Sequence, residues 1–271
     1  MRATKTTTRL PRIALGLTLT PLVAWVTALL APRVHVGAIF GNALAFAGGA
    51  ILPIGALALA ATTELGRRAT FAIAGLAAAS LLALTLTHPA PLAAMLLVDA
   101  ALVALGWALG ASIGRRVQHA AHLLPACVVA ACADLVSLLS PEGPTHAIAQ
   151  SERALSVLAT WFPVPGTNAL APALGVGDLL FSGLIFGVAV VHELPYLRTL
   201  CLAIAGASCA GALSAWLEVA VPALVPIGAA IVIGLPAVRR VRPADRAATK
   251  WSLVIASAIA IGVLARHFAS H

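Results

Sequence analysis

Three aspartates, Asp99, Asp134 and Asp178, stand inside otherwise apolar stretches. A carboxyl group at membrane depth is unfavourable enough that it ordinarily faces a cavity, a partner or a reaction. Asp134 lies six residues before Ser140, the expected end of its stretch, and Asp178 seven residues after Ala171, the expected start of the next. At ~1.5 Å per helical residue, both acids fall roughly 9–10 Å below the same surface, on adjacent spans of opposite direction. Two carboxyls at close range in low dielectric cannot both ionise, so a facing pair shares one proton. The ionised member then activates water and the protonated member polarises a carbonyl. Depth alone fits this chemistry, a proton or cation site, and two separate neutral acids equally well. Asp99, roughly 12 Å into its own stretch by the same rise, is expected in a polar crevice in preference to pairing with the other two.

The elements that hold these acids must be membrane spans. The 271 residues are 61% hydrophobic and only 10% charged, whereas a soluble domain needs about a quarter of its residues charged to cover its surface. Soluble enzymes, nucleic-acid modules and disordered regulators are thereby excluded. Apolar stretches able to cross ~30 Å of hydrocarbon as helices fall at 13–31, 36–62, 69–87, 91–113, 119–139, 171–192, 197–217, 219–237 and 251–268. The second carries Pro53 and reads as one tilted or kinked helix. The first is too long for a signal-peptide core and reads as a retained span. The 140–170 connection, with Pro141, Gly143, Pro144, Pro163, Pro165 and Gly166, predicts a loop with one short helix near 145–160.

With an inside N-terminus, the inner segments carry 14 of the 17 Lys and Arg residues, leaving Arg33, Arg153 and Arg266 outside. Retention of basic residues on the cytoplasmic side therefore predicts a multi-pass protein of the cell (inner) membrane with a cytoplasmic N-terminus, and explains the formal charge of +8 without a nucleic-acid partner. The organisation expected is an all-α bundle of about nine spans. Residues 1–118 form an N-terminal bundle of about four, 119–237 the region of the paired acids, and 238–271 a basic inner loop with one further span. Cys127, Cys132, Cys201 and Cys209 fall in apolar runs and read as small buried residues. Gly48, Gly49, Gly75, Gly106 and Gly110 read as sites of close helix approach.

Local sequence separates the alternatives for the acids. Asp178 stands in Gly175-Val176-Gly177-Asp178, where two glycines remove side chains beside the acid and let another backbone approach. Asp134 is followed seven residues later by Pro141-Glu142-Gly143-Pro144, and the eighth stretch contains Pro222-Ala223-Leu224. These three elements, in this order, resemble the presenilin and signal peptide peptidase family of intramembrane aspartyl proteases over residues 119 to 237. The resemblance implies a presenilin-like catalytic bundle, with Asp134 and Asp178 as the two catalytic acids. It further implies that Gly175, Val176, Gly177, Pro222, Ala223 and Leu224 bind substrate, the transmembrane helices of other proteins, with no metal and no cofactor. Independently of the family, Pro222 donates no main-chain hydrogen bond, so the helix start there is expected to present backbone to an extended peptide. The chain departs from the family in having Ala133 where a tyrosine is usual, four spans before Asp134 where the family has five, and a further span after Pro-Ala-Leu. The Asp134 span also runs inside to outside, as in signal peptide peptidases.

Other constellations are weaker. His119 and His122 lack a third metal ligand nearby and read as an interfacial polar turn. His192-Glu193 begins like a zinc-protease motif, but Tyr196 occupies the place of the second histidine. Gly206-Ala207-Ser208 is similar to the serine motif of rhomboid proteases without a histidine in the following span, which favours packing. A proton- or ion-coupled transporter using Asp99, Asp134 and Asp178 remains the alternative class. A prepilin-peptidase-like enzyme remains the alternative protease, although Leu180 stands where that family tends to have lysine.

Overall fold

The computed structural model describes residues 22–33, 37–64, 66–87, 91–140, 142–217 and 219–269. Positions 13–21 of the first expected span lie outside the described residues, as do Arg2, Lys5, Arg9, Arg12, Pro141 and Glu218. The chain is about 81% helical, an all-α polytopic architecture with one small hairpin. The helices are α1 (Leu22–Arg33), α2 (Ala38–Ala61), α3 (Arg67–Thr87), α4 (Pro91–Leu105) and α5 (Leu123–Leu139). After α5 come the short α6 (Pro144–Gln150) and α7 (Glu152–Leu158), strands β1 (Ala159–Pro163) and β2 (Leu170–Gly175), and then α8 (Val176–Val191), α9 (Tyr196–Leu217), α10 (Leu224–Gly234) and α11 (Arg246–Ala269).

Six described helical stretches are long and apolar enough to cross a membrane: Phe40–Ala61, Arg67–Thr87, Leu92–Gly114, Ala120–Leu139, Tyr196–Leu217 and Pro243–Arg266. Three shorter apolar helices, α1, α8 and α10, fall on the remaining expected stretches. Two of these are short for local reasons. Residues 171–175, expected as the start of a helix, instead belong to β2, and the 219–237 stretch is helical only from Leu224 to Gly234 before a 3₁₀ turn at Pro236–Arg239. At ~1.5 Å per residue, α10 spans about 17 Å, roughly half of the hydrocarbon thickness. The 140–170 connection is likewise more ordered than a loop with one helix, holding α6, α7 and β1. Pro53 lies inside an unbroken α2.

The central element is α8. Leu179, Ile185, Phe186 and Val188 are completely buried, and most of its length is enclosed by α2, α9 and the continuation of α4. That continuation is a π-helical turn, Gly106–Ala111, followed by Ser112–Gly114. Gly106, Gly110 and Gly114 recur every fourth residue and lie against the backbone of Leu179, Leu180 and Leu184. Reciprocally, Gly183 and Gly187 lie against the backbone of Gly106 and Ala111. A Cβ at any of these five positions would collide with main-chain atoms, so side-chain loss is what lets the helices touch. In a bilayer such close van der Waals packing supplies the association that hydrophobic burial supplies in water.

One end of the bundle gathers the basic residues and ties the helix ends together. Arg115 donates to the carbonyls of Ala61 and Thr63, Tyr196 Oη–H donates to Ala58 O, and His192 Nε2 meets Val117 O at 2.8 Å. The last carbonyls of α2, which have no intrahelical donors, are satisfied in this way. Arg239, Arg240, Arg242 and Arg246 follow α10 at the same end, where Arg242 reaches His119 at 2.6 Å.

Candidate active site

Asp134 sits in the second half of α5, half-buried, and its position is fixed on both sides. One turn further on, Ser137 Oγ donates to Thr145 Oγ1 at 2.7 Å and accepts from Thr145 N at 2.8 Å, while His146 Nδ1 lies 3.3 Å from Leu138 O. These bonds fold α6 back over the end of α5. Gly143 is required in this turn because its α-carbon lies against the Ser137 carbonyl, where a Cβ has no room, and Pro144 opens α6 at the position where a missing N–H is harmless. On the other side, Asp134 Oδ2 accepts the N–H of Leu224 at 3.2 Å.

That second bond joins the acid to Pro222-Ala223-Leu224. Pro222 and Ala223 precede α10, with Val221 N donating to Ser214 Oγ at 2.9 Å, and Leu224 is the first helical residue. A first-turn N–H has no partner within its own helix, so the Asp134 carboxylate serves as the cap of α10 and gains from its positive end. Of the backbone expected to be presented to a peptide at this element, the Leu224 N–H is therefore engaged by the acid itself. Two close contacts seat α10: Gly228 against Cys127 of α5, and Gly206 of α9 against the backbone of Pro226 and Ile227. Gly206-Ala207-Ser208 thus packs helices, as its small residues suggest. Cys127 is a buried packing residue, whereas Cys201 and Cys209 are exposed on α9, contrary to the expectation of burial; all four thiols are free.

Asp178 is the third residue of α8, and its Oδ2 accepts the N–H of Gly175 at 2.9 Å, satisfying the residue that caps the helix. Its depth therefore comes from a strand followed by less than one helical turn, and not from the seven helical residues expected. Gly177 has no atom within 4 Å of where a Cβ would stand, and at Gly175 a Cβ would meet only Asp178 itself. Gly175 pairs with Ala159 across the hairpin, and the side of each glycine where a Cβ would stand is otherwise open among the described residues. α5 and α8 are neighbours in the bundle, and Asp178 lies near enough to Asp134 for their charges to interact. Asp134 is thus bonded to Pro-Ala-Leu across a wide separation in sequence, and Asp178 stands in its neighbourhood.

Asp99 does not join the other two. It is only 2% exposed on α4, and its Oδ1 accepts the N–H of Trp161 in β1 at 2.9 Å. β1 and β2 pair antiparallel, with Trp161 opposite Pro172 and Phe162 opposite Ala171, and an irregularity lies between Ala159 and Trp161. There Thr160 Oγ1 accepts from Leu174 N at 3.0 Å and donates to Leu174 O at 3.3 Å, replacing a backbone rung. Neither strand was expected from the sequence, because Ala159–Pro163 and Leu170–Gly175 are short, apolar and flanked by proline and glycine.

The remaining constellations are structural. His119 and His122 stack edge to face, and each bonds the segment after α10, His119 to Arg242 and His122 to Asp245 at 3.4 Å. His192-Glu193 ends α8, with Glu193 in the left-handed conformation at φ 51° that commonly closes a helix. No three metal-ligating side chains cluster among the described residues. The chain matches no protein-family model, no curated protein and no solved structure.

Proposed function

We propose that this protein is an intramembrane aspartyl endopeptidase, with Asp134 and Asp178 as its catalytic pair. The observation that carries the reading is the Asp134–Leu224 hydrogen bond, which joins one acid to Pro222-Ala223-Leu224 with the other acid in its neighbourhood. These are the three elements that resemble the presenilin and signal peptide peptidase family, and sequence separation alone gives no reason for them to meet.

In this reading the ionised carboxylate removes a proton from water as the water oxygen attacks the carbonyl carbon of the scissile peptide. The protonated carboxyl donates to the carbonyl oxygen, giving a neutral tetrahedral diol. The carboxyl that took the proton from water then gives it to the amide nitrogen while the other carboxylate takes the proton of a diol hydroxyl, so that the C–N bond breaks, an acid and an amine leave, and the pair again holds one proton. No metal or cofactor is required. Because a helical peptide bond is already hydrogen-bonded and shielded by side chains, the substrate is a single transmembrane helix opened locally into an extended segment. β2 leads directly into Gly175-Val176-Gly177-Asp178, and a two-stranded hairpin leaves each strand one edge not paired with its neighbour. Addition of the opened segment along β2 pairs part of its released backbone groups, Pro172 offering its carbonyl but no N–H, while carrying it past the space beside Gly177.

The test is incubation of the purified protein in detergent or vesicles with synthetic single-span peptides. Cleavage is expected within the apolar segment, faster when Gly or Pro weakens the helix near the scissile bond and slower in a Leu-rich version. Rates indifferent to substrate helicity, or no internal cleavage, contradict the reading.

A further inference from the structure

Asp99 is the one intramembrane acid that the proposed chemistry leaves without a task, and its surroundings are specific. In an antiparallel pair, residues alternate between positions bonded to the partner strand and positions turned away from it. Val164 N donates to Ala169 O, so in this register Phe162 is also bonded inward, whereas Trp161 and Pro163 turn their backbone groups away from β2. That outward side of β1 is packed on α4. A helix covering a sheet edge strands the edge N–H groups unless something accepts them. Pro163 has no N–H to strand, and the N–H of Trp161 is taken by Asp99 Oδ1. The contact stands immediately beyond the irregularity at Thr160, where slippage by one residue would be easiest.

We infer that Asp99 is a positioning residue. Its carboxyl takes the place of a third strand, pins β1 to α4, and thereby fixes the register at which the outward edge of β2 presents a substrate segment to Asp178. The inference rests on the protease reading for its substrate half. Its structural half, the anchoring of β1, is measurable without activity. The requirement is an acceptor oxygen at this position and not a charge, which separates a positioning role from a proton-carrying one.

The experiment compares wild type with Asp99→Asn, Asp99→Ala and Asp99→Glu in two measurements: amide hydrogen exchange across 159–175, and steady-state cleavage of a single-span peptide with products identified by mass. Asp99→Asn keeps an acceptor and is expected to retain Trp161 protection, KM and the wild-type cleavage site. Asp99→Ala is expected to lose Trp161 protection, raise KM by about tenfold and spread cleavage over neighbouring bonds, with kcat changed far less. If Asp99→Ala does not fold, Asp99→Glu, whose carboxyl stands one methylene further out, is expected to shift the cleavage position at a raised KM. Unchanged Trp161 exchange in Asp99→Ala overturns the anchoring. Loss of turnover at unchanged KM in Asp99→Asn also overturns the inference, by making the proton essential. Absence of cleavage by wild type overturns the protease reading itself and leaves the exchange comparison to decide the anchoring.

Discussion

Asp134 Oδ2 accepts the N–H of Leu224 at 3.2 Å, tying α5 to the first turn of α10 across 90 residues of chain. The bond orients one acid of the proposed pair and caps a helix of only 11 residues, too short to be stable without such support. The Leu224 side chain is half-buried against the core and holds this turn in place. Leu224→Ala is therefore expected to lower kcat/KM by about tenfold, since roughly 1–2 kcal/mol of partial packing is lost where the acid is aligned. Leu224→Met, of similar volume, should remain near wild type. Peptide-cleavage kinetics read both; equal activity in all three proteins contradicts an orienting role for this turn.

The crossing of α8 with the continuation of α4 makes a contrast between glycines. Gly110→Val or Gly183→Val drives a side chain into main-chain atoms of the facing helix and is expected to destabilise by about 2–3 kcal/mol or more, moving the Asp178 helix. Gly75→Ala and Gly262→Ala enter open space on helices and are expected to be neutral or stabilising by up to about 1 kcal/mol. Thermal unfolding in one detergent distinguishes them, and equal shifts in the two groups contradict the packing described.

At the basic end, partial burial and then the neighbouring Arg242 guanidinium hold His119 below the ordinary histidine value. Neutral His119 accepts from Arg242 at 2.6 Å, whereas the protonated ring has no lone pair to offer and adds a like charge. A histidine depressed in the folded state contributes its stabilisation fully above the unfolded value near 6.5, and that contribution is lost as pH falls below it. The His119 ring resonance is expected to titrate below a free histidine, and Arg242→Gln to raise its midpoint. A midpoint at or above the free value contradicts the contact.

The gathering of basic residues at one end supports an orientation with that end cytoplasmic. In a variant lacking the four native cysteines, single cysteines placed at 152 and 167 are expected to react with an impermeant reagent from outside, and one at 244 only from inside. The reverse pattern contradicts the orientation.

Legibility in the sequence divided along physical lines. Long apolar runs announce helices through composition, so α2, α3, α4, α5, α9 and α11 fall where hydropathy places them. Asp134 and Asp178 stood out because an acid at membrane depth demands a reason. β1 and β2 were hidden, since a five- or six-residue apolar strand has the same composition as the start of a span. The partner of Asp99 was hidden with them, because a bond to the backbone N–H of Trp161 leaves no mark in residue type. The fourfold spacing of Gly106, Gly110 and Gly114 signals a contact, but only the fold identifies α8, with Gly183 and Gly187, as the helix opposite.

The most direct test of the central claim is quantitative cleavage of a single-span peptide by purified wild type, Asp134→Asn, Asp178→Asn and the double variant, each first shown to have wild-type thermal stability. Because a proton-sharing pair acts as a unit, each single variant is expected to lose cleavage to the detection limit, with no further loss in the double variant. Substantial cleavage by either single variant would falsify the assignment of Asp134 and Asp178 as one catalytic pair.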